Sequence, residues 1–538
     1  MSSKTPYTLK TALFAISVFL EITIALVAVD YVQNKGIVAY TTDDAYIHMS
    51  MAKNFALHNV WGVTPYEFSS STSSPLWTLI LGILYKLFGV NDYIPLALNV
   101  VCAIAILILL SWIFHRHGMP RWLNRYLLLA VVFLMPLPTL VLSGLEHVLQ
   151  TLVIILFTYV AGQYIANLAN AAHPRFNRQL ILLMVLSALI TSVRYESIFA
   201  VFIVCGLLLL QQRWSPAVLV AAAGAIPIIV YGMISIANGS MLIPNSVLLK
   251  GYRPDFSNIS GIVTQFGLVA IQQLSTAPHI LMFVLLALLL LYQRVRQQQF
   301  WSDSAAVMAV IFVGTTLLHM QFARTGWFYR YEAYLIVLGI CVLGVLVASR
   351  VPEKLTLPMV LKRDPLFIAA IVFFFLLPAI TRGVAALHDT PGAEHEIYSQ
   401  YYPLADFLNA YYQGVGVATH DIGIINYRAS TRDFDVWGLG DVEVARLRLQ
   451  SAFDVNAMAD LAKARGSTIA IYSWDVPVPD SWTKIASWKI DTWIVVGNPE
   501  LKFYAIDPAQ KTTLLSNLKA FAPQLPPNVA VAYYGSAQ

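Results

Sequence analysis

Long apolar runs broken by short polar turns fill residues 1–384, and from about residue 385 the runs shorten and begin to alternate with polar positions. A helix needs roughly 20 apolar residues to cross a hydrocarbon core. The runs predict about eleven spans: 11–29, 93–114, 126–142, 147–168, 180–193, 197–212, 217–237, 278–293, 304–320, 331–349 and 366–382. Unbroken runs such as Leu127–Leu142 lack the two-residue alternation of a barrel strand, so the spans are read as helices. Thr11–Val29 has no small-residue cleavage site close behind it and is read as a retained helix. Pro75–Phe88 and Ile259–Leu274 are expected to lie at the membrane surface instead of crossing it.

In the second region, Gly414–Thr419 reads as a buried strand followed by a turn at Asp421-Ile422-Gly423. Val442–Leu449 and Asn456–Ala464 have helical spacing, and Thr468–Tyr472 and Trp493–Val496 read as further strands. The last stretch, with Pro523, Pro526 and Pro527, is expected to be an irregular tail. The fold class is therefore an α-helical polytopic membrane protein with a C-terminal soluble α/β domain. A membrane module spans 1–384, with a first outer loop at 30–92, and the second module spans 385–538. The lone Gly-x-Gly at 414–416 lacks the third glycine and helix-opening context of a dinucleotide site.

Composition agrees: 58% of the 538 residues are hydrophobic, only 12% are charged, and the mean hydropathy is +0.66. Cys102, Cys205 and Cys341 all fall in apolar runs, which argues against a disulfide framework or thiolate metal site. Basic residues collect at Lys4 and Lys10, His115–Arg125, Arg175–Arg178, Arg213, Arg294–Arg296 and Arg350–Arg363. The positive-inside rule makes these loops cytoplasmic, the N-terminus cytoplasmic and the C-terminal domain extracytoplasmic. Counting Pro75–Phe88 as a span would reverse that assignment for His115–Arg125. The acids behave oppositely. Of the 14 in residues 1–390, only Asp303, Glu353 and Asp364 lie in cytoplasmic loops. Glu21 falls within the first span, where it is expected to need a buried partner.

The candidate chemistry gathers on the outer side. Asp43-Asp44 follows the first span, with Tyr46 and, later, Trp77. Glu146 ends the third span, and Arg194-Tyr195-Glu196 lies between the fifth and sixth. Asn245 and Lys250 follow the seventh, and Arg324 with Arg330 lies between the ninth and tenth. Carboxylates can act as a base or hold a cation, while Arg and Lys suit an anionic headgroup such as phosphate. Each residue also has a plainer reading. Thr42 or Asp43 can cap the helix that follows, Glu146 can cap the fourth span, Glu196 can pair with Arg194, and Lys250 and Arg330 can anchor at lipid headgroups. His48, His58 and His319 have no metal-ligand spacing. A divalent cation held by Asp43-Asp44 through water stays open. Tryptophans and tyrosines near span ends read as an interfacial belt.

Together these residues resemble the GT-C superfamily of polyprenyl-phosphate-sugar glycosyltransferases, most closely the terminal arabinofuranosyltransferase branch. The pattern Asp-Asp-Ala-Tyr-Ile is matched at 43–47, Ala-x-Asn at 52–54, and Thr-Ser-Pro-Leu-Trp by Thr72 with Ser74–Trp77. Gly-Leu-Glu is matched at 144–146, Arg-Pro-Glu approximately at 194–196, and Pro-Asn-Thr with a following lysine at Pro244, Asn245, Ser246 and Lys250. Ser50 stands where the family has arginine, His58–Trp61 where it has a glycine-rich turn, and Tyr195 where it has proline.

The resemblance implies inverting transfer of a sugar, arabinofuranose, from a polyprenyl-phosphate donor to a glycan, lipid or pilin-like protein acceptor in the cell envelope. The enzyme would sit in the bacterial inner membrane, among membrane lipids and with no nucleic acid. Asp44 or Asp43 would be the general base. Lys250, Arg330 and Arg194 would hold the donor phosphate, with Glu146, Glu196, Asn245, Tyr46 and Trp77 around the substrates. The rival reading is a transporter or flippase of lipid-linked sugars, which predicts pseudo-symmetric halves and broken helices at the midplane. A third is a structural envelope protein with a sugar-binding domain, which needs no charged clusters in the membrane module.

Overall fold

The computed structural model describes residues 5–169, 177–251, 258–296, 300–348, 369, 372–450 and 453–534. The chain forms a polytopic α-helical membrane module joined to a C-terminal domain built on a mixed sheet. Among the described residues, six helices are long and apolar enough to cross a membrane: Leu9–Gln33, Ile94–Arg116, His147–Leu168, Trp214–Ala237, Pro278–Val295 and Ser304–Phe322. Arg178–Val193, Tyr195–Leu210 and Ala333–Ala348 are apolar but shorter. Ala333–Ala348 is buried on almost every side, as expected of an evenly hydrophobic helix, and packs at the centre against five neighbouring helices.

Several expectations change. The run 126–142 is two helices, Arg121–Leu134 and Leu137–Val141. Pro136 and Pro138 lack the N–H groups that would carry one helix through. Pro75–Phe88 is a helix with Trp77, Leu81 and Tyr85 buried and Ile83, Leu87 and Phe88 exposed. Residues 259–276 form short helical pieces around a π-helical turn. Glu21 is exposed on the first helix, without the buried setting expected of it. Arg175 and the Arg350–Arg363 cluster lie outside the described residues, as does the start of the 366–382 run. The three cysteines are free thiols.

The strands are β1 (Gly416–Thr419), β2 (Arg432–Asp435), β3 (Ser467–Tyr472), β4 (Thr483–Ile490), β5 (Glu500–Ala505) and β6 (Val529–Tyr533), in the order β2-β1-β3-β5-β4-β6. β1 pairs in parallel with β2 and β3, and the remaining pairs are antiparallel. Trp493–Val496 is not a strand. Its backbone N–H groups at Ile494, Val495 and Val496 donate to the Glu396 carboxylate, which takes them out of any ladder. The closing segment is also more regular than expected: Lys511–Phe521 is a helix, and β6 follows the prolines to pair with β4.

The border expected at 384/385 falls inside one continuous helix, Leu377–Tyr411. The apolar core of the C-terminal domain also runs on into Tyr40, Tyr46, Trp77 and Tyr85. The loop before the Asp44–His58 helix is thereby clamped between the two modules, and the charged loops meet there.

Candidate active site

Helical periodicity divides the Asp44–His58 helix into two working faces. Asp44, Ile47 and His48 lie at i, i+3 and i+4 and face a pocket of about 120 Å³. Tyr46, about 200° round from Asp44, points the other way. Its hydroxyl meets that of Tyr402 at 3.0 Å and accepts the Tyr40 backbone N–H at 3.0 Å.

Asp44 is the centre of an ion triad. Lys250 donates to one carboxylate oxygen at 2.9 Å, and Arg330, only 2% exposed, holds the other. Arg330 also donates to Thr42 at 3.3 Å. Burial alone would raise the Asp44 carboxyl, but the two cations overturn that and hold it far below the usual carboxylate range.

Arg330 is aimed by an uncommon backbone. Trp327, Phe328 and Tyr329 are all left-handed, with φ of 46°, 54° and 65°, at roughly 1–2 kcal/mol each. Arg382 fixes that turn by donating to the Tyr329 carbonyl at 2.9 Å while pairing with Glu332.

A second triad lines the same pocket with the opposite stoichiometry. Arg194 donates to Glu146 at 2.7 Å and chelates Glu196 through two nitrogens, one at 3.1 Å. His48 stands 3.6 Å from Glu146 and is held by Thr78 at 2.8 Å. The pocket wall also includes Arg324, so four cationic side chains face Asp44, Glu146 and Glu196.

Asp43 has a different task. Its oxygens accept the backbone N–H groups of Gly423, at 2.9 Å, and Ile424, at 2.8 Å, where the C-terminal domain begins its Ile424–Arg428 helix. It makes no side-chain cap on its own helix. A Cβ at position 423 would stand 2.2 Å from the Asp43 carbonyl oxygen, so only glycine permits this approach. Burial and, next, the charge of Asp421 push the Asp43 carboxyl up to about 8, against its two hydrogen bonds.

Asp43 and Asp44 also border a larger cavity of about 680 Å³. It opens between the membrane module and the C-terminal domain, with Trp327, Trp437, Trp474, His420 and Asp421 in its wall. Asp44, Ile47, Lys250, Arg324 and Tyr331 line both cavities. To hold a divalent cation, the aspartate pair would have to give up the Lys250 and Arg330 contacts on one side and the backbone donors on the other.

Comparisons with known proteins add little beyond this geometry. Residues 394–505 match a family described as a domain of unknown function, DUF8728. No curated protein matches the chain. Among solved structures it is similar to ArnT from Cupriavidus metallidurans bound to undecaprenyl phosphate, at 10% identity over 92% of this chain and 98% of that one, with a TM-score of 0.48. The apo state of the same protein gives 12% identity over the same shares, with a TM-score of 0.47.

Of the residues picked from sequence, Asp44, Glu146, Arg194, Glu196, Lys250 and Arg330 therefore converge on one pocket. Asn245 is buried beside it, its backbone N–H bonded to the Ser70 carbonyl at 2.9 Å. Tyr46 and Trp77 line neither cavity and are packed in the core shared by the two modules. The interfacial-belt reading covers only tryptophans near span ends and leaves Trp437 and Trp474 without a role. The available signal is that Trp437 and Trp474 lie far from any candidate membrane span.

Proposed function

We propose that this protein is a membrane glycosyltransferase that moves a sugar from a polyprenyl-phosphate donor to an acceptor hydroxyl on the outer face of the membrane. One observation carries the reading: the Asp44 carboxylate is a wall common to a cation-rich pocket and a larger cavity. The smaller pocket suits a phosphate. Its four cationic side chains exceed its three carboxylates by one, taking histidine as neutral, and arginine and lysine are the natural partners of phosphate oxygens. The larger cavity brings the acceptor to the same carboxylate.

In this reading the donor phosphate takes Lys250 and Arg330 from Asp44. The freed carboxylate then accepts the proton of the acceptor hydroxyl as that oxygen bonds to the anomeric carbon. The bond from the anomeric carbon to the phosphate oxygen breaks on the opposite side, giving inversion and releasing polyprenyl phosphate. Base strength thus rises only when donor is present, which limits wasteful hydrolysis. Asp44 is the base and Asp43 is the clamp between modules. The sugar implied by the sequence resemblance is arabinofuranose. The reaction as drawn uses no divalent cation.

The test is transfer of radiolabelled sugar from a polyprenyl phosphate by purified protein in nanodiscs. Asp44→Asn is expected to lower the rate by about 10²- to 10⁴-fold, the usual range for a general base, while leaving donor binding intact or tighter. Movement of the lipid-linked sugar across the bilayer without transfer would favour the flippase reading instead.

A further inference from the structure

Three indoles meet in the larger cavity from distant parts of the chain: Trp327 from the left-handed turn, Trp437 after β2 and Trp474 after β3. Trp327 and Trp437 lie within 14° and 18° of parallel to Trp474, with ring centres 6.1 and 6.5 Å away. They stay partly open to the cavity, Trp327 being 45% exposed, although a tryptophan face is costly to leave wet.

The central ring is held on several sides. Asp421 accepts its indole N–H at 3.4 Å, and His420 stacks on it at 5.5 Å. A Cβ on residue 497 would come within 2.1 Å of the indole, so Gly497 is needed for the ring to sit where it does. His420 is 95% buried within this wall, by its 5% exposure; its Nδ1 stands 3.7 Å from the Asp421 carboxylate, and its Nε2 has no hydrogen-bond partner among the described residues. A buried imidazole with an unused ring nitrogen is expensive unless a ligand completes it.

We infer that this chamber is a sugar-ring subsite: the acceptor is a neutral glycan whose ring stacks on Trp474 and its neighbours and whose hydroxyls reach His420 and Asp421. The inference rests on the transferase reading above and names its acceptor class. Aromatic faces carry negative charge and suit the weakly positive C–H face of a sugar ring. Asp44 and Asp421 balance the cations Lys250 and Arg324 in the wall, and Asp43 adds a carboxyl that burial keeps largely protonated at neutral pH, so the wall has no cationic surplus to draw an anionic headgroup. A peptide would instead be recognised largely through its main chain. The volume is within the ~300–1,000 Å³ of ligand pockets.

The experiment is saturation-transfer NMR on the full-length protein in nanodiscs, with methyl α-D-arabinofuranoside, methyl α-D-mannopyranoside and methyl β-D-galactopyranoside as probes. At least one glycoside should show saturation of its ring C–H protons. That signal should fall at least fivefold in Trp474→Ala and largely return in Trp474→Phe, which keeps an aromatic face. No saturation with any probe, or equal saturation in Trp474→Ala, would overturn the subsite. Because binding is read without turnover, the two ideas separate. Transfer without glycoside contact sinks the subsite alone, whereas contact without transfer sinks the transferase reading and leaves a sugar-binding chamber.

Discussion

The pocket contains two ion triads built to opposite designs. One places a single carboxylate, Asp44, between two cations, and the other places a single cation, Arg194, between two carboxylates. The first carries a surplus positive charge and is open, with Asp44 24% and Lys250 32% exposed. The second carries a surplus negative charge and is closed around its Arg194–Glu146 pair, with Glu146 fully buried and Arg194 9% exposed, while Glu196 is 25% exposed. An anionic ligand has much to gain from the first and little from the second. Arg194, placed among the phosphate ligands by the sequence resemblance, fits better as the clamp that keeps Glu146 charged and holds the loops after two helices together.

Removing one cation from each triad should have contrasting results. Arg194→Met leaves the Glu146 carboxylate buried without its partner, a change that costs about 3–5 kcal/mol in folded proteins. Thermal unfolding in detergent should show that loss, and the double variant with Glu146→Gln should recover part of it. A stable single variant with weakened donor binding would erase the distinction between the triads. Lys250→Met should act on the other side of the comparison. Losing one charge-assisted contact of about 1.5–3 kcal/mol raises the donor KM about 10- to 150-fold, with little change in unfolding. An unchanged donor KM would remove Lys250 from the phosphate site.

Much of this geometry was legible in the sequence. The fold class followed from apolar run lengths, and six of the chosen charged residues do share one pocket. What could not be read was direction. Asp43 and Asp44 are neighbours in sequence, yet the partners that separate them lie 380 residues away at Gly423 for one and 206 and 286 residues away for the other. Tyr46 sits in the same short motif but on the far helical face. Trp493–Val496 has the composition of a strand, and only the buried Glu396 carboxylate redirects its N–H groups. The indoles of the larger cavity come from three segments with no common spacing. Such convergence is tertiary, and local pattern does not encode it.

The smallest expected effect separates Asp43 from Asp44 most cleanly. Asn at position 43 turns an amide N–H₂ towards backbone N–H groups that now have an acceptor, and one of them is left unpaired. The cost is about 1–3 kcal/mol, and transfer should persist at temperatures where the fold is intact. The pH dependence gives a sharper signature. Burial raises the Asp43 carboxyl from 3.8 to about 8 in the folded protein, so the folded state keeps a proton that the unfolded chain has lost. Its contribution to stability is therefore greatest below about pH 4, declines as pH rises towards about 8, and then levels off. Asp44 has the opposite sign, because its folded carboxyl lies below 3.8, and its window ends where that of Asp43 begins. Unfolding temperatures of the wild type and Asp43→Asn between pH 4 and 8 should thus converge as the pH rises. Parallel curves would mean that the clamp does not titrate, and the division of labour between the two aspartates would then rest on Asp44→Asn alone.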